Sequence, residues 1–122
     1  MADKLVESDL DGFTGTERYT RHWTGKLVYT DGIAFLAEKG GAHWLIDAIA
    51  SYQIDKKVLK NKNLADFQLW VLRVKDNKAV LTCQEDSDKP AVITQRIGFT
   101  DFPLQEVKIY VENGICLLPS EH

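Results

Sequence analysis

The chain has 122 residues, 44% of them hydrophobic and 27% charged, which fits one globular domain with a sizeable core. Its net charge of −3 argues against a partner held by phosphate contacts, so nucleic acid is not the expected ligand. The chain contains no apolar stretch long enough for a membrane span and no secretory signal after Met1, so we expect a cytoplasmic protein.

The N-terminal segment predicts helices, with one ambiguous stretch. Residues 1–12 are typical of a short helix, since Gly12 tolerates the left-handed conformation at a helix end. Residues 13–23 favour a second helix, because three bulky side chains then share one face. These side chains are Tyr19, His22 and Trp23. Residues 26–29 fit a strand as well as a helix, and both interpretations stay open.

Two further helices are predicted on either side of the pair Gly40-Gly41. The side chain of Thr30 or Asp31 can accept a hydrogen bond from the first free amides of a helix that begins there. The two glycines interrupt this helix, because they add large backbone freedom. The next helix covers about 42–53, with apolar residues at spacings of three and four. Residues 54–65 are lysine-rich and predict a helical turn followed by a loop.

From Phe67 onward the hydrophobic period changes to two, which predicts β-strands. The predicted strands cover 67–74, 79–84, 91–97, 107–111 and 115–118. The first of them is apolar on nearly both faces and is expected at the centre of a sheet. The segments 75–78 and 112–114 are typical of tight turns.

The predicted fold class is α+β, with N-terminal helices packed on one face of a C-terminal sheet of four to five antiparallel strands. Antiparallel pairing is favoured because the connections are short, and parallel strands need long crossovers. We expect a single domain over 1–122, in which 1–60 form a mainly helical layer and 67–118 form an antiparallel meander.

A polar face on the helix 42–53 carries His43, Asp47 and Ser51. A serine hydrolase needs its imidazole between the acid and the hydroxyl, whereas here the acid lies in the middle, so we assign no catalytic residue. We expect Asp47 to accept hydrogen bonds from His43, Ser51 or nearby backbone. An alternative function remains, a small enzyme or ligand-binding protein that uses this face and the turn at Thr100-Asp101.

The sequence contains no recognisable metal or cofactor signature. His22, His43 and His122 with scattered carboxylates match no zinc-binding spacing. No glycine-rich loop leads from a strand into a helix as a phosphate cradle requires, so we expect neither a metal nor a cofactor. Cys83 and Cys116 lie in strand-like segments and are predicted to be buried, reduced thiols.

Residue types that anchor protein interfaces are concentrated at the end of the segment 13–23. They are Arg18, Tyr19, Arg21, His22 and Trp23. We therefore predict that the partner is another protein, bound at this segment. An open edge of the predicted sheet would also allow a homodimer.

Five segments together resemble a bacterial family of unknown function that is associated with plasmids, phages and many cyanobacterial genomes. They are Phe13–Glu17, Thr30–Gly32, His43–Gln53, Phe67–Trp70 and Phe99–Pro103. The resemblance spans nearly the whole chain and carries over no catalytic residue. It implies a mobile genetic element, where small proteins often inhibit a host protein. The predicted function is thus a small protein-binding module that inhibits a host defence protein.

Overall fold

The computed structural model describes residues 5–13 and 18–122. Their helices are α1 (Glu7–Asp11), α2 (Asp31–Gly40), α3 (His43–Tyr52), α4 (Lys56–Leu59) and α5 (Lys62–Asp66). Their strands are β1 (Tyr19–Arg21), β2 (Val28–Thr30), β3 (Phe67–Lys75), β4 (Lys78–Gln84), β5 (Ala91–Ile97), β6 (Glu106–Glu112) and β7 (Ile115–Leu117). A 3₁₀ turn spans Pro119–Glu121. In these described ranges, no helix combines the length and the apolar character that a membrane crossing requires.

The helices α2 and α3 confirm the prediction for the two helices around Gly40-Gly41. Thr30 precedes α2, and its Oγ1 accepts a hydrogen bond of 3.3 Å from the amide of Ile33. Gly41 ends α2 with a φ of +61°, a left-handed conformation that favours glycine. The lysine-rich segment that follows forms α4 and α5.

The prediction of a helix over 13–23 was wrong for its described part. Residues 14–17 lie outside the described residues, and Tyr19–Arg21 form β1. This strand pairs with β2 in antiparallel fashion, so that Tyr19 lies opposite Thr30. The open question about 26–29 is resolved in favour of a strand over Val28–Thr30. Pairing with a neighbouring strand outweighs local helical spacing in a segment this short.

The strands form one seven-stranded sheet over the described residues, in the order β1-β2-β7-β6-β3-β4-β5. The α+β class is therefore confirmed, whereas the predicted number of four to five strands was too small. The neighbours are antiparallel except β2 and β7, which are parallel. The two added strands have three residues each, too few for a period of two to stand out.

The strand order also differs from the predicted meander over 67–118. Strand β6 pairs with β3 and not with β5, so residues 98–105 carry the chain past the end of the β3–β4 hairpin. Strand β3 lies between β6 and β4, which confirms its predicted central position. Both of its faces are buried over Gln68–Leu72. A strand that is apolar on both faces is most stable in the interior of the sheet.

The helices pack against the sheet through a core that includes Ile33 of α2, Leu45 and Ile49 of α3, and Trp70 of β3. A buried amide network lies next to this core. Gln68 accepts a hydrogen bond of 2.8 Å from the indole of Trp70 and exchanges two hydrogen bonds with Gln53. The network satisfies polar groups that would otherwise be costly to bury.

Both predicted turns are confirmed, and their backbone explains their sequences. Asp76 and Asn77 connect β3 to β4 with φ values of +54° and +59°. Asn113 and Gly114 connect β6 to β7 with φ values of +51° and +80°. Two successive left-handed residues match the twist of a hairpin, and Asn, Asp and Gly adopt this conformation most readily.

Cys83 of β4 and Cys116 of β7 are buried and unbridged, as predicted. Burial raises the pKa of the Cys83 thiol to about 12. Burial, together with the nearby carboxylate of Glu121, raises the pKa of Cys116 as well. Neither thiol is therefore disposed to act as a nucleophile at neutral pH.

Candidate functional site

The segment that leaves β1 meets the exposed surface of α3 through a buried histidine. His22 is 4% exposed, and its Nε2 lies 2.6 Å from Oδ1 of Asp47. Asp47 projects from the middle of α3, and its side chain is 52% exposed. A carboxylate at the solvent boundary thus accepts the hydrogen bond of an imidazole that is almost fully buried.

The contacts on the other ring nitrogen identify the tautomer of His22. The amide N–H of Thr24 donates to Nδ1 at 3.2 Å, and Oγ1 of Thr24 lies 2.8 Å from the same atom. The amide of Lys26 donates to that hydroxyl, which leaves the hydroxyl proton available for Nδ1. Because Nδ1 accepts hydrogen bonds, Nε2 carries the proton and donates to Asp47.

Asp47 is hydrogen-bonded, but its donors differ from the predicted ones. They are the imidazole of His22 and the indole N–H of Trp23, which lies 3.2 Å from Oδ1. The hydroxyl of Ser51 instead donates to the carbonyl of Ala48 at 2.6 Å. His43 lies at the start of α3 and influences Asp47 only through charge. The prediction that His43 or Ser51 supplies the donor was wrong, because the β1–β2 connection folds over this helix face.

The hydrogen bond from His22 lowers the pKa of Asp47 below its ordinary value, although partial burial acts in the opposite direction. The hydrogen bond from Trp23 lowers the pKa further, and the electrostatic influence of the nearby His22 and His43 side chains acts in the same direction. Each donor stabilises the ionised form of the carboxylate. Asp47 is therefore an anion at neutral pH and a fixed acceptor for the two aromatic donors.

Trp23 combines high exposure with a defined orientation. Its side chain is 82% exposed, yet its indole nitrogen is hydrogen-bonded to Asp47. Its ring also lies 5.4 Å from that of His22, centroid to centroid. A tryptophan in this position presents a large apolar surface to solvent while its polar group is already satisfied.

A cleft of about 650 Å³ lies between α3 and the end of β5. Asp47 lines this cleft together with Trp44, Arg96, Phe99 and Asp101. Phe99 follows β5 and is 73% exposed. Asp47 thus contacts Trp23 and also lines the cleft. We refer to Trp23, Trp44, Asp47 and Phe99 together as the aromatic surface.

The residues selected from the sequence are distributed over two places. His22, Trp23 and Asp47 meet at one point, whereas the sequence assigned them to two separate sites. Arg18, Tyr19 and Arg21 are exposed on or beside β1, and Tyr19 faces a smaller cleft near Ile115. Trp44 and Phe99 were missed. A phenylalanine in the polar turn Gly98–Asp101 was the available signal for Phe99.

Asp47, His22 and Thr24 have the order of acid, imidazole and hydroxyl that a hydrolase requires. However, Oγ1 of Thr24 also accepts from the amide of Lys26, and Nδ1 of His22 is shared with the amide of Thr24. The cleft beside Asp47 is lined by neither His22 nor Thr24. These contacts hold a turn together, and we assign no catalytic residue to them. The described part of the chain contains no group of three or more metal-ligating side chains.

Comparison with curated proteins and with solved structures gave no match. The model of one protein family, a family of unknown function designated DUF6876, matches residues 4–122. The match covers both strands of the β1–β2 hairpin, the helix that carries Asp47 and the whole sheet. The chain therefore belongs to the family of unknown function DUF6876.

Proposed function

We propose that this chain is a small protein-binding module whose principal contact residue is Trp23. The observation that supports the proposal is that the Trp23 side chain is 82% exposed while its indole nitrogen is held by Asp47. Burial of a large aromatic side chain in a partner's pocket removes much apolar area from water. Because the ring is oriented before binding, less conformational entropy is lost in the complex.

The surroundings of Trp23 indicate the chemistry of the partner's surface. Phe99 adds an exposed apolar ring in the cleft that Asp47 also lines. Arg18 and Arg21 are exposed near the base of the same segment, and neither forms an ion pair with another described residue. The partner that fits is a protein with an apolar pocket and carboxylates beside it.

The setting of this binding module is part of the proposal. The resemblance to proteins of plasmids and phages supports a mobile genetic element in a bacterial cytoplasm. In that setting the bound protein is one of the host, and inhibition of a defence protein is a role that a small protein-binding module can perform. This part of the proposal depends on the resemblance and not on the geometry.

The test is affinity capture from a host lysate, followed by measurement of the dissociation constant with the purified partner. Trp23→Ala should weaken binding by about 2 kcal/mol, which corresponds to roughly thirtyfold. Leu59→Ala is the matched control, because Leu59 is an exposed hydrophobic residue that the aromatic surface does not contain. If both variants bind like the wild type, Trp23 is not the contact residue and the proposal is wrong.

A second candidate function, ligand binding by the cleft, is favoured by the size and lining of that cleft. Its volume of about 650 Å³ falls in the range of small-molecule sites, and its polar groups include Asp47, Arg96 and Asp101. A ligand that shifts the NMR signals of these residues, and that binds less well to Arg96→Ala, would support this function. Turnover of a small substrate that is lost in His43→Ala, with no protein captured, would establish the enzyme alternative instead.

A further inference from the structure

The sheet has two edges of unequal length. One edge is β1, with three residues, and the other is β5, with the seven residues Ala91–Ile97. In the sheet of the described residues, β5 pairs only with β4. Its outer side therefore presents backbone N–H and C=O groups that can pair with another strand.

Most of the features that protect an edge strand are found in the first part of β5. Pro90 stands immediately before it, and Val92 forms a bulge, since Cys83 pairs with Ile93 while Gln84 pairs with Ala91. From Ile93 to Ile97 the strand is regular and contains no proline, and Arg96 is its one charged residue. These five residues thus form a regular edge that a single charge guards.

We infer that two copies of this chain pair antiparallel through Ile93–Ile97, about a two-fold axis at Gln95. In this register Ile93 lies opposite Ile97 of the second copy, and Thr94 lies opposite Arg96 of the second copy. The symmetry produces each of these contacts twice. The apolar pairs fall on the helix-covered face of the sheet, and the polar pairs fall on its open face, where Thr94 and Arg96 are exposed.

The neighbouring registers are less favourable. An axis at Arg96 would place two arginines directly opposite each other, which is destabilising. An axis at Thr94 would place Ile93 opposite Gln95 of the second copy and would direct Arg96 at the bulge. The order of residues along β5 is therefore complementary to itself in one register.

The size of this contact indicates how it behaves in solution. Five residues per copy bury far less than a standard protein interface, so the dimer should dissociate on dilution. This dimer is independent of partner binding by Trp23.

The test measures the mass of the purified chain over a concentration series by analytical ultracentrifugation at low salt. The wild type should change from 13.8 kDa to twice that mass as the concentration rises. Thr94→Lys places a lysine opposite Arg96 of the second copy and should raise the dimer dissociation constant about tenfold. Thr94→Glu should lower it, and Thr94→Lys combined with Arg96→Glu should restore dimerisation.

The exposure of both positions allows these variants to fold, and circular dichroism verifies this. A wild type that stays monomeric at every concentration would overturn the inference. A dimer whose dissociation constant is the same in Thr94→Lys and Thr94→Glu would show that another surface mediates association, which also overturns it. Neither result would bear on Trp23.

Discussion

The Nε2 atom of His22 lies 2.6 Å from Oδ1 of Asp47, although 25 positions separate the two residues in the chain. One is a buried imidazole and the other a half-exposed carboxylate, so the contact ties the β1–β2 connection to the solvent side of α3. The same oxygen accepts the indole N–H of Trp23. The orientation of the most exposed tryptophan therefore depends on a contact that also stabilises the fold.

Replacement of Asp47 by alanine should destabilise the protein. The variant leaves the Nε2–H of His22 buried without an acceptor, which costs about 1–3 kcal/mol of unfolding free energy. Urea denaturation measures this change. Asp101→Ala is the control, because Asp101 is an exposed carboxylate of the same cleft, and its loss should stay within about 0.5 kcal/mol. Equal stabilities for the two variants would contradict this role of Asp47.

Stability should depend on pH through Asp47 in the acid range. Its ordinary pKa is 3.8 and its folded-state pKa is lower, so between these values the unfolded chain binds more protons. Its contribution is thus complete above pH 3.8 and is lost as the pH falls through the folded-state value.

The comparison that isolates this effect is between the wild type and Asp47→Asn, each unfolded by urea at several acid pH values. The unfolding free energy of Asp47→Asn should fall less steeply over that range. The pKa of Glu85 is also lowered, by hydrogen bonds from Asn61 and then from Asn63, but Glu85 is present in both proteins and cancels. Parallel curves would show that Asp47 contributes no such dependence.

A double-mutant cycle should reveal a contact between the C-terminal 3₁₀ turn and the start of α2. Glu121 accepts hydrogen bonds from the hydroxyl of Thr30 at 2.7 Å and from the amide of Gly32 at 3.3 Å, at the start of α2. A Cβ atom on Gly32 would lie 2.5 Å from Oε1 of Glu121. Gly32→Ala should therefore destabilise the wild type by displacing this carboxylate.

In a Glu121→Ala background the same Gly32→Ala change should be neutral or stabilising by up to about 1 kcal/mol, because alanine favours a helix over glycine. Thermal unfolding of the four proteins measures the coupling. Additive effects would mean that the carboxylate does not restrict the residue at position 32.

The two cysteines should resist modification while the protein is folded. Both thiols are buried, and burial raises the pKa of each, so the reactive thiolate is scarce and inaccessible. Labelling with a thiol reagent should be slow in buffer and should reach two equivalents in denaturant. Fast labelling of the native protein would show that one of the strands β4 or β7 opens.

Much of the fold follows from local patterns in the sequence. Thr30 begins α2 because its side chain accepts a hydrogen bond from a free amide of the first turn, and Gly41 ends α2 because glycine adopts the left-handed conformation readily. Both properties can be read from the residue types alone. The period-two pattern from Phe67 and the turn at Asp76-Asn77 identify the β3–β4 hairpin for the same reason.

Tertiary structure alone decided how these elements pair. Strands β1 and β2 have three residues each, so no local period reveals them. Strand β1 pairs with β2, and β2 also pairs with β7, which lies far away in the chain. The site follows the same rule. The sequence placed Trp23 in a candidate interface segment and Asp47 on a polar helix face. It predicted, however, that the hydrogen bonds to Asp47 come from residues of the same helix. His43 and Ser51 are close to Asp47 in the sequence, whereas His22 is 25 positions away. Only the packing of the chain determines which of these side chains donates to the carboxylate.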